Sequence, residues 1–185
     1  MRKLSVFNSM SVDGYFVDGT GDMSWAHRND PEWNAFVADN ASGESVMLFG
    51  RITYQMMAGW WPTPQAMESM PAVAQRMNAL PKVVFSRTLR SATWSNTTLV
   101  SGDLVGAVTA LKSEGGPDLV IMGSGTIVAQ LAQAGLIDEY QIALAPVVLG
   151  KGRTMFDGVD RLNLTRTYSR AFANGCVYLR YQAQQ

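Results

Sequence analysis

Three short clusters in this 185-residue chain place glycine, hydroxyl or guanidinium groups directly after apolar runs. Gly50-Arg51-Ile52-Thr53-Tyr54 follows Ser45 to Phe49, Ser86-Arg87-Thr88 follows Lys82 to Phe85, and Gly123-Ser124-Gly125-Thr126 follows Asp118 to Met122. Glycine at such a turn lets backbone approach a ligand. A helix start offers unpaired N–H groups and the positive end of a dipole, and arginine offers a fork matched to phosphate oxygens. Each cluster also has an ordinary reading: a tight strand-to-helix turn, an exposed Arg beside a capping Thr, a polar loop. Together, at the C-terminal ends of three predicted strands, they fit a dinucleotide lying across one edge of a sheet.

Two carboxylates are candidates for delivering a proton. Glu32 stands in the first turn of a predicted helix capped by Asp30, with Phe36 at i+4, so a carboxyl above an aromatic wall is expected. Acids in a first turn also simply favour the helix dipole. Asp13 is the rival, in an Asp13-Gly14 pair of the kind that commonly makes a turn. Trp25, Trp33, Trp60 and Trp61, with Met56, Met57, Met67 and Met70, offer flat and adaptable surface for a heteroaromatic small molecule. Core packing accounts for many of them, Met56 and Met57 above all. His27 is the one histidine, which excludes a multi-histidine metal site and a Ser-His-Asp triad, so no metal is expected. Cys176 is the one cysteine, which excludes an intrachain disulfide and reads as a small buried strand residue.

The elements that must position these groups follow from periodicity. Leu4 to Met10 is apolar on both faces and predicts a central strand, followed by a Gly- and Asp-rich loop over 13–21. Asp30-Pro31-Glu32 predicts a helix start whose Trp33, Phe36 and Val37 face the core. Pro71 and Pro81 bound a helix with Val73, Met77 and Leu80 on one face. Asp103 is expected to cap a helix with Leu104, Val108 and Leu111 inward, and the helix after Gly125 to bury Ile127, Leu131 and Ala134. Beyond Gly135 the chain alternates over Tyr140 to Val148, Leu162 to Tyr168 and Gly175 to Tyr181, which predicts antiparallel strands. The expected architecture is α/β: one domain over 1–185, with a mixed, mainly parallel sheet flanked by helices and antiparallel C-terminal strands.

Composition narrows the partners. Lys+Arg 15 against Asp+Glu 15 leaves no net charge, so no nucleic acid or anionic membrane surface is expected. No apolar run approaches the roughly 20 residues that cross a bilayer, and the N-terminus does not read as a signal peptide, so a cytoplasmic protein is expected. A charged fraction of 16% and an alternating tail predict an apolar sheet edge hidden in a homodimer, through the strands near 140–148 and 175–181.

The chain resembles the dihydrofolate-reductase-like superfamily, and within it the reductase domain of the bifunctional deaminase–reductase of riboflavin biosynthesis and its stand-alone relatives. The resemblance is carried by Ser9-Met10-Ser11-Val12-Asp13-Gly14, by the clusters at 49–54 and 84–88, and by the long block from Met122 through Gly135-Leu136-Ile137-Asp138-Glu139-Tyr140 to Pro146–Gly152. It implies bound NADPH. Arg51 and Thr53, after Gly50, would contact the cofactor's phosphates, and Ser86 and Arg87, with Thr88, the adenosine 2′-phosphate. Gly123, Ser124, Gly125 and Thr126 would cradle the pyrophosphate, and the backbone of Ser9 and Met10 would lie against the nicotinamide. It also implies that Glu32 begins the helix that carries the pocket carboxylate in folate enzymes. The activity implied is reduction of a pyrimidine- or pteridine-like heterocycle such as 5-amino-6-(5-phosphoribosylamino)uracil. Dihydrofolate reduction and non-catalytic NADPH binding are the alternatives.

Overall fold

A computed structural model describes residues 1–26, 30–40 and 43–184. His27 lies outside the described residues. Eight strands form one sheet. In chain order they are β1 (Leu4–Met10), β3 (Ser45–Gly50), β4 (Lys82–Phe85), β5 (Thr97–Val100), β6 (Asp118–Met122), β7 (Glu139–Leu144), β9 (Leu164–Ala171) and β10 (Val177–Ala183). Their spatial order is β5-β4-β3-β6-β1-β7-β10-β9. From β5 to β7 every pairing is parallel, and β10 then runs antiparallel to both β7 and β9. The mixed, mainly parallel sheet with an antiparallel C-terminal margin is the expected architecture.

Continuous apolar runs suit strands covered on both faces. Leu4 and Val6 of β1, Leu48 and Phe49 of β3, and Leu119 and Ile121 of β6 are all fully buried. Six helices supply the cover: α1 (Pro31–Asn40), α2 (Arg51–Trp60), α3 (Pro64–Ser69), α4 (Pro71–Ala79), α5 (Leu104–Ser113) and α6 (Gly125–Gln133). Pro stands first in α3 and α4, where its missing N–H costs no intrahelical bond, and the Thr63 hydroxyl caps α3 by accepting from Ala66 N. Asp103 caps α5, its carboxylate accepting from Val105 N at 3.1 Å. The inward stripe of α6 is Ile127, Val128, Leu131 and Ala132, whereas the expected Ala134 is exposed beyond the last turn.

Two expectations are corrected. The segment read as a loop over 13–21 contains a strand, β2 (Tyr15–Asp18), paired antiparallel with the short β8 (Gly152–Thr154) in a separate ribbon. Its partner lies more than 130 residues away in sequence, and four residues carry too little pattern to declare a strand. The tail strands expected at an exposed edge are interior: β7 sits between β1 and β10, and β10 between β7 and β9. Chain order predicts edge position poorly when the last strand inserts between two earlier ones. The free edge on that side is β9, whose residues beyond Leu164 are exposed.

Candidate functional site

The strand order decides which clusters meet. β4, β3 and β6 are consecutive neighbours, all parallel, so the turns after Phe85, Gly50 and Met122 leave the same edge of the sheet side by side. They border one cleft of about 540 Å³. Gly50, Arg51 and Thr53 line it from the β3–α2 turn, Ser86 and Arg87 from the end of β4, and Gly123, Ser124, Gly125 and Thr126 from the β6–α6 turn. Three residues after the expected sites were not anticipated in this role: Gly102 and Asp103, at the β5–α5 turn, and Arg153 on β8. The cleft thus faces the N-termini of α2, α5 and α6, whose first-turn amides lack intrahelical partners, and three guanidinium groups. Arg51 Nη1 donates to Gln55 Oε1 at 3.0 Å and Arg153 Nη2 to Thr126 Oγ1 at 3.4 Å. The Arg87 side chain makes no hydrogen bond or ion pair with the described residues. Such a donor set fits an elongated, multiply anionic ligand.

The hydroxyls and glycines at these turns also hold the turns to one another. Gly50 N–H donates to Ser124 Oγ at 2.8 Å, and Ser124 N–H donates to Thr53 Oγ1 at 3.1 Å. The two turns are therefore laced together, across 74 and 71 residues of sequence. Asn8, buried in β1, adds a third tie by donating from Nδ2 to the Gly123 carbonyl at 3.3 Å. The lacing holds Gly123 and Ser124 both in the left-handed region, at φ 64 and 58. That conformation costs a non-glycine residue about 1–2 kcal/mol. Ser86 Oγ likewise accepts from Thr88 N and Leu89 N, at 3.1 and 2.9 Å, and so shapes the loop that presents Arg87.

Gly123 and Gly125 are also required by the protein's own packing. A Cβ at Gly123 would meet Thr53 Cγ2 at 2.9 Å, and one at Gly125 would meet the Phe16 ring at 2.7 Å. These glycines make way for the protein's own side chains. Phe16, buried on β2, lies against the start of α6 and fixes the β2–β8 ribbon beside the cleft.

Ser9, Met10 and Thr88 are not among the residues lining the cleft. Ser9 and Met10 pair with Ala143 and Leu144 of β7, and the Met10 carbonyl accepts from Ala145 N at 2.8 Å. Thr88 is exposed one residue beyond Arg87. Met56, read as core, is exposed and lines the cleft, because its position on α2 shares a face with Ile52; Met57 packs inward near Tyr54 and Trp94 as expected.

The two candidate acids lie elsewhere, and neither borders the cleft. Glu32 Oε1 pairs with Arg170 Nη2 at 2.8 Å. The expected aromatic wall exists, but Arg170 covers it, its guanidinium 5.4 Å from the Phe36 ring centroid and 4.9 Å from that of Phe172. The Asp13 carboxylate accepts from Gly150 N at 2.7 Å and from Leu149 N, so it ties the β1–β2 turn to the segment before β8. The Ser11 hydroxyl, followed by those two amides, holds its carboxyl below the usual range. A general acid at neutral pH needs the opposite shift.

Comparison with known proteins returns the same fold, a mixed sheet whose parallel strands end in helix N-termini around a cleft. The chain belongs to the RibD C-terminal domain family, whose model matches residues 2–178. That family is a reductase domain, which places the chain among oxidoreductases. It is 24% identical over 181 residues to the uncharacterized protein YyaP of Bacillus subtilis (strain 168), covering 97% of this chain and 94% of that one. A putative riboflavin biosynthesis protein from Shewanella sp. PV-4 superimposes with a TM-score of 0.76 at 23% identity over the whole of both chains. Dihydrofolate reductase from Enterococcus faecalis, in complex with NADP(H) and RAB-propyl, superimposes with a TM-score of 0.65 at 14% identity, covering 99% of this chain and 97% of that one. The fold implied by the resemblance is the fold observed. Among the described residues no helix is long and apolar enough to cross a membrane, and no cluster of His, Cys, Asp and Glu could hold a metal ion.

Proposed function

We propose that the cleft binds NADPH and that the chain is an NADPH-dependent reductase of a small pyrimidine- or pteridine-like heterocycle, of the kind reduced in riboflavin biosynthesis. The observation that carries this reading is the meeting of three separate strand-to-helix turns on one cleft that also gathers Arg51, Arg87 and Arg153. Gly123, Gly125 and Thr126 present the start of α6 to the pyrophosphate, Arg51 and Arg153 flank it, and Arg87 takes the 2′-phosphate. Thr53, Ser86 and Ser124 keep the turns in register while accepting backbone N–H groups. A hydroxyl that accepts retains its own O–H to donate, so Thr53 and Ser86 still offer a phosphate one hydrogen bond each. The bound dinucleotide supplies a hydride. Ser9 and Met10, at the C-terminal end of β1, are the backbone nearest in kind to what the nicotinamide ring requires, and Ile52 and Met56 give the heterocycle an apolar surface on α2.

The proton that accompanies hydride transfer comes from solvent at the open mouth of the cleft, because Glu32 is paired and Asp13 is held ionised. For the same reason the folate-type alternative, which the resemblance tied to a carboxylate at Glu32, is the weaker reading. NADPH consumption, followed by absorbance with an aminopyrimidine ribosyl compound and with dihydrofolate in parallel, tests the choice. Turnover of the first supports the reading, and turnover of dihydrofolate alone contradicts it. A cytoplasmic location suits a chain with one free cysteine and a reduced dinucleotide. We place the homodimer contact at the free β9 edge, and light scattering at micromolar concentration that returned a monomer mass would reject it.

A further inference from the structure

The cleft that gathers three arginines also contains one carboxylate, Asp103, and it stands at the same end as Arg87. The register fixes this. Phe85 of β4 pairs with Val100 of β5, and Ser86 N donates to the Val100 carbonyl at 3.0 Å. Arg87 therefore lies two residues beyond one end of that pair and Asp103 three residues beyond the other. The two do not neutralise each other. Asp103 turns back on its own helix, accepting from Val105 N, while the Arg87 guanidinium has no partner among the described residues. Both side chains are exposed to the cleft. Phe85, Val100 and Leu104, each partly buried, add apolar surface to the same cleft.

An arginine at this place selects a ribose that carries a 2′-phosphate, whereas a carboxylate accepts from a free ribose hydroxyl and repels a phosphate dianion. This end of the cleft carries both instructions. We infer that Asp103 is a specificity-determining residue that opposes Arg87 and holds the preference for a 2′-phosphorylated adenosine below what Arg87 alone would give. The inference rests on the reading of the cleft as a dinucleotide site and adds to it the group that sets selectivity at the adenosine end.

The test uses fragments, so that it needs no substrate and no turnover. The affinities of 2′,5′-ADP and 5′-AMP are measured by titration calorimetry for the full chain and for Asp103→Asn. Asn serves as well as Asp as a helix N-cap, so the variant retains the start of α5. The expected result is a ratio of affinities that moves toward 2′,5′-ADP by on the order of three- to ten-fold, the scale of one charge acting on another across partly screened solvent. A ratio unchanged between the two proteins, with both fragments binding, overturns the role of Asp103 and leaves the cleft reading intact. Failure of both fragments to bind the unmodified chain overturns the cleft reading, and the inference with it.

Discussion

The two margins of the sheet treat their charged groups in opposite ways. At the β4–β3–β6 end, helix N-termini and arginines converge on a cleft, and Arg87 is left without a protein partner among the described residues. Across β7, β10 and β9 the charged side chains other than the exposed Arg166 are engaged with one another and with rings: Glu32 of α1 with Arg170, Glu139 with Arg180 at 3.5 Å, Arg170 over Phe36 and Phe172, and Arg180 over Tyr168 and Tyr178. Polar groups that satisfy each other stabilise a surface. Those held in place with capacity to spare are available to a ligand. The difference separates the arginines that should bind from the acids that should not.

The largest effect expected from breaking this arrangement is at Gly125. Valine there drives its side chain into the Phe16 ring and overpacks the junction of α6 with the β2–β8 ribbon. A loss of about 3 kcal/mol is expected, near the upper end for an overpacked core, with a melting temperature lower by roughly 6–12 °C. Thermal denaturation checks it. A variant that melts normally and has lost only nucleotide binding would mean that the glycine serves the ligand and not the packing against Phe16.

Ser124→Ala probes the lacing of the two turns. It removes the acceptor for the part-buried Gly50 N–H, and a donor left unsatisfied there costs about 1 kcal/mol, the lower end of the range for buried groups. Stability and NADPH affinity should fall together, because both turns lose their register. Loss of affinity at unchanged stability would mean that the hydroxyl contacts the ligand instead.

The smallest effects belong to the acids. Glu32→Gln breaks an exposed pair worth about 0.2–1 kcal/mol and should leave turnover unchanged. A large drop in rate with the fold intact would restore it as the proton donor. Asp13→Asn acts on pH dependence. The folded carboxyl titrates below its unfolded value near 3.8, so its contribution is present above that value and is lost as pH falls through the folded one. The asparagine variant should therefore show a shallower loss of stability on the acid limb below about pH 4 than the unmodified chain.

Much of this was legible in the sequence wherever the cause is local. Apolar runs marked β1, β3, β4 and β6, with glycine closing β3 and β6, proline and aspartate marked the starts of α1, α4 and α5, and the three phosphate-type clusters stood where the strands end. What was not legible depends on distant partners. The pairing of β2 with β8, the roles of Thr53 and Ser124 toward each other, and the cover that Arg170 places over Glu32 all join residues 71 or more apart, and no periodicity reports such contacts. Asp103 was read correctly as a cap. Its place in the cleft follows from β5 pairing beside β4, a strand of four residues that the pattern did not reveal.

The central claim is that this cleft is a site for a 2′-phosphorylated dinucleotide, and titration calorimetry with NADPH and NADH on the unmodified chain and on Arg87→Ala tests it most directly. A charge-assisted contact between Arg87 and the 2′-phosphate is worth about 1.5–3 kcal/mol, so NADPH should bind roughly ten- to a hundred-fold tighter than Arg87→Ala allows. NADPH should outbind NADH in the unmodified chain, and the variant should lose most of that preference while retaining NADH binding. Equal affinity of the unmodified chain for both cofactors, or no binding of either, would contradict the account.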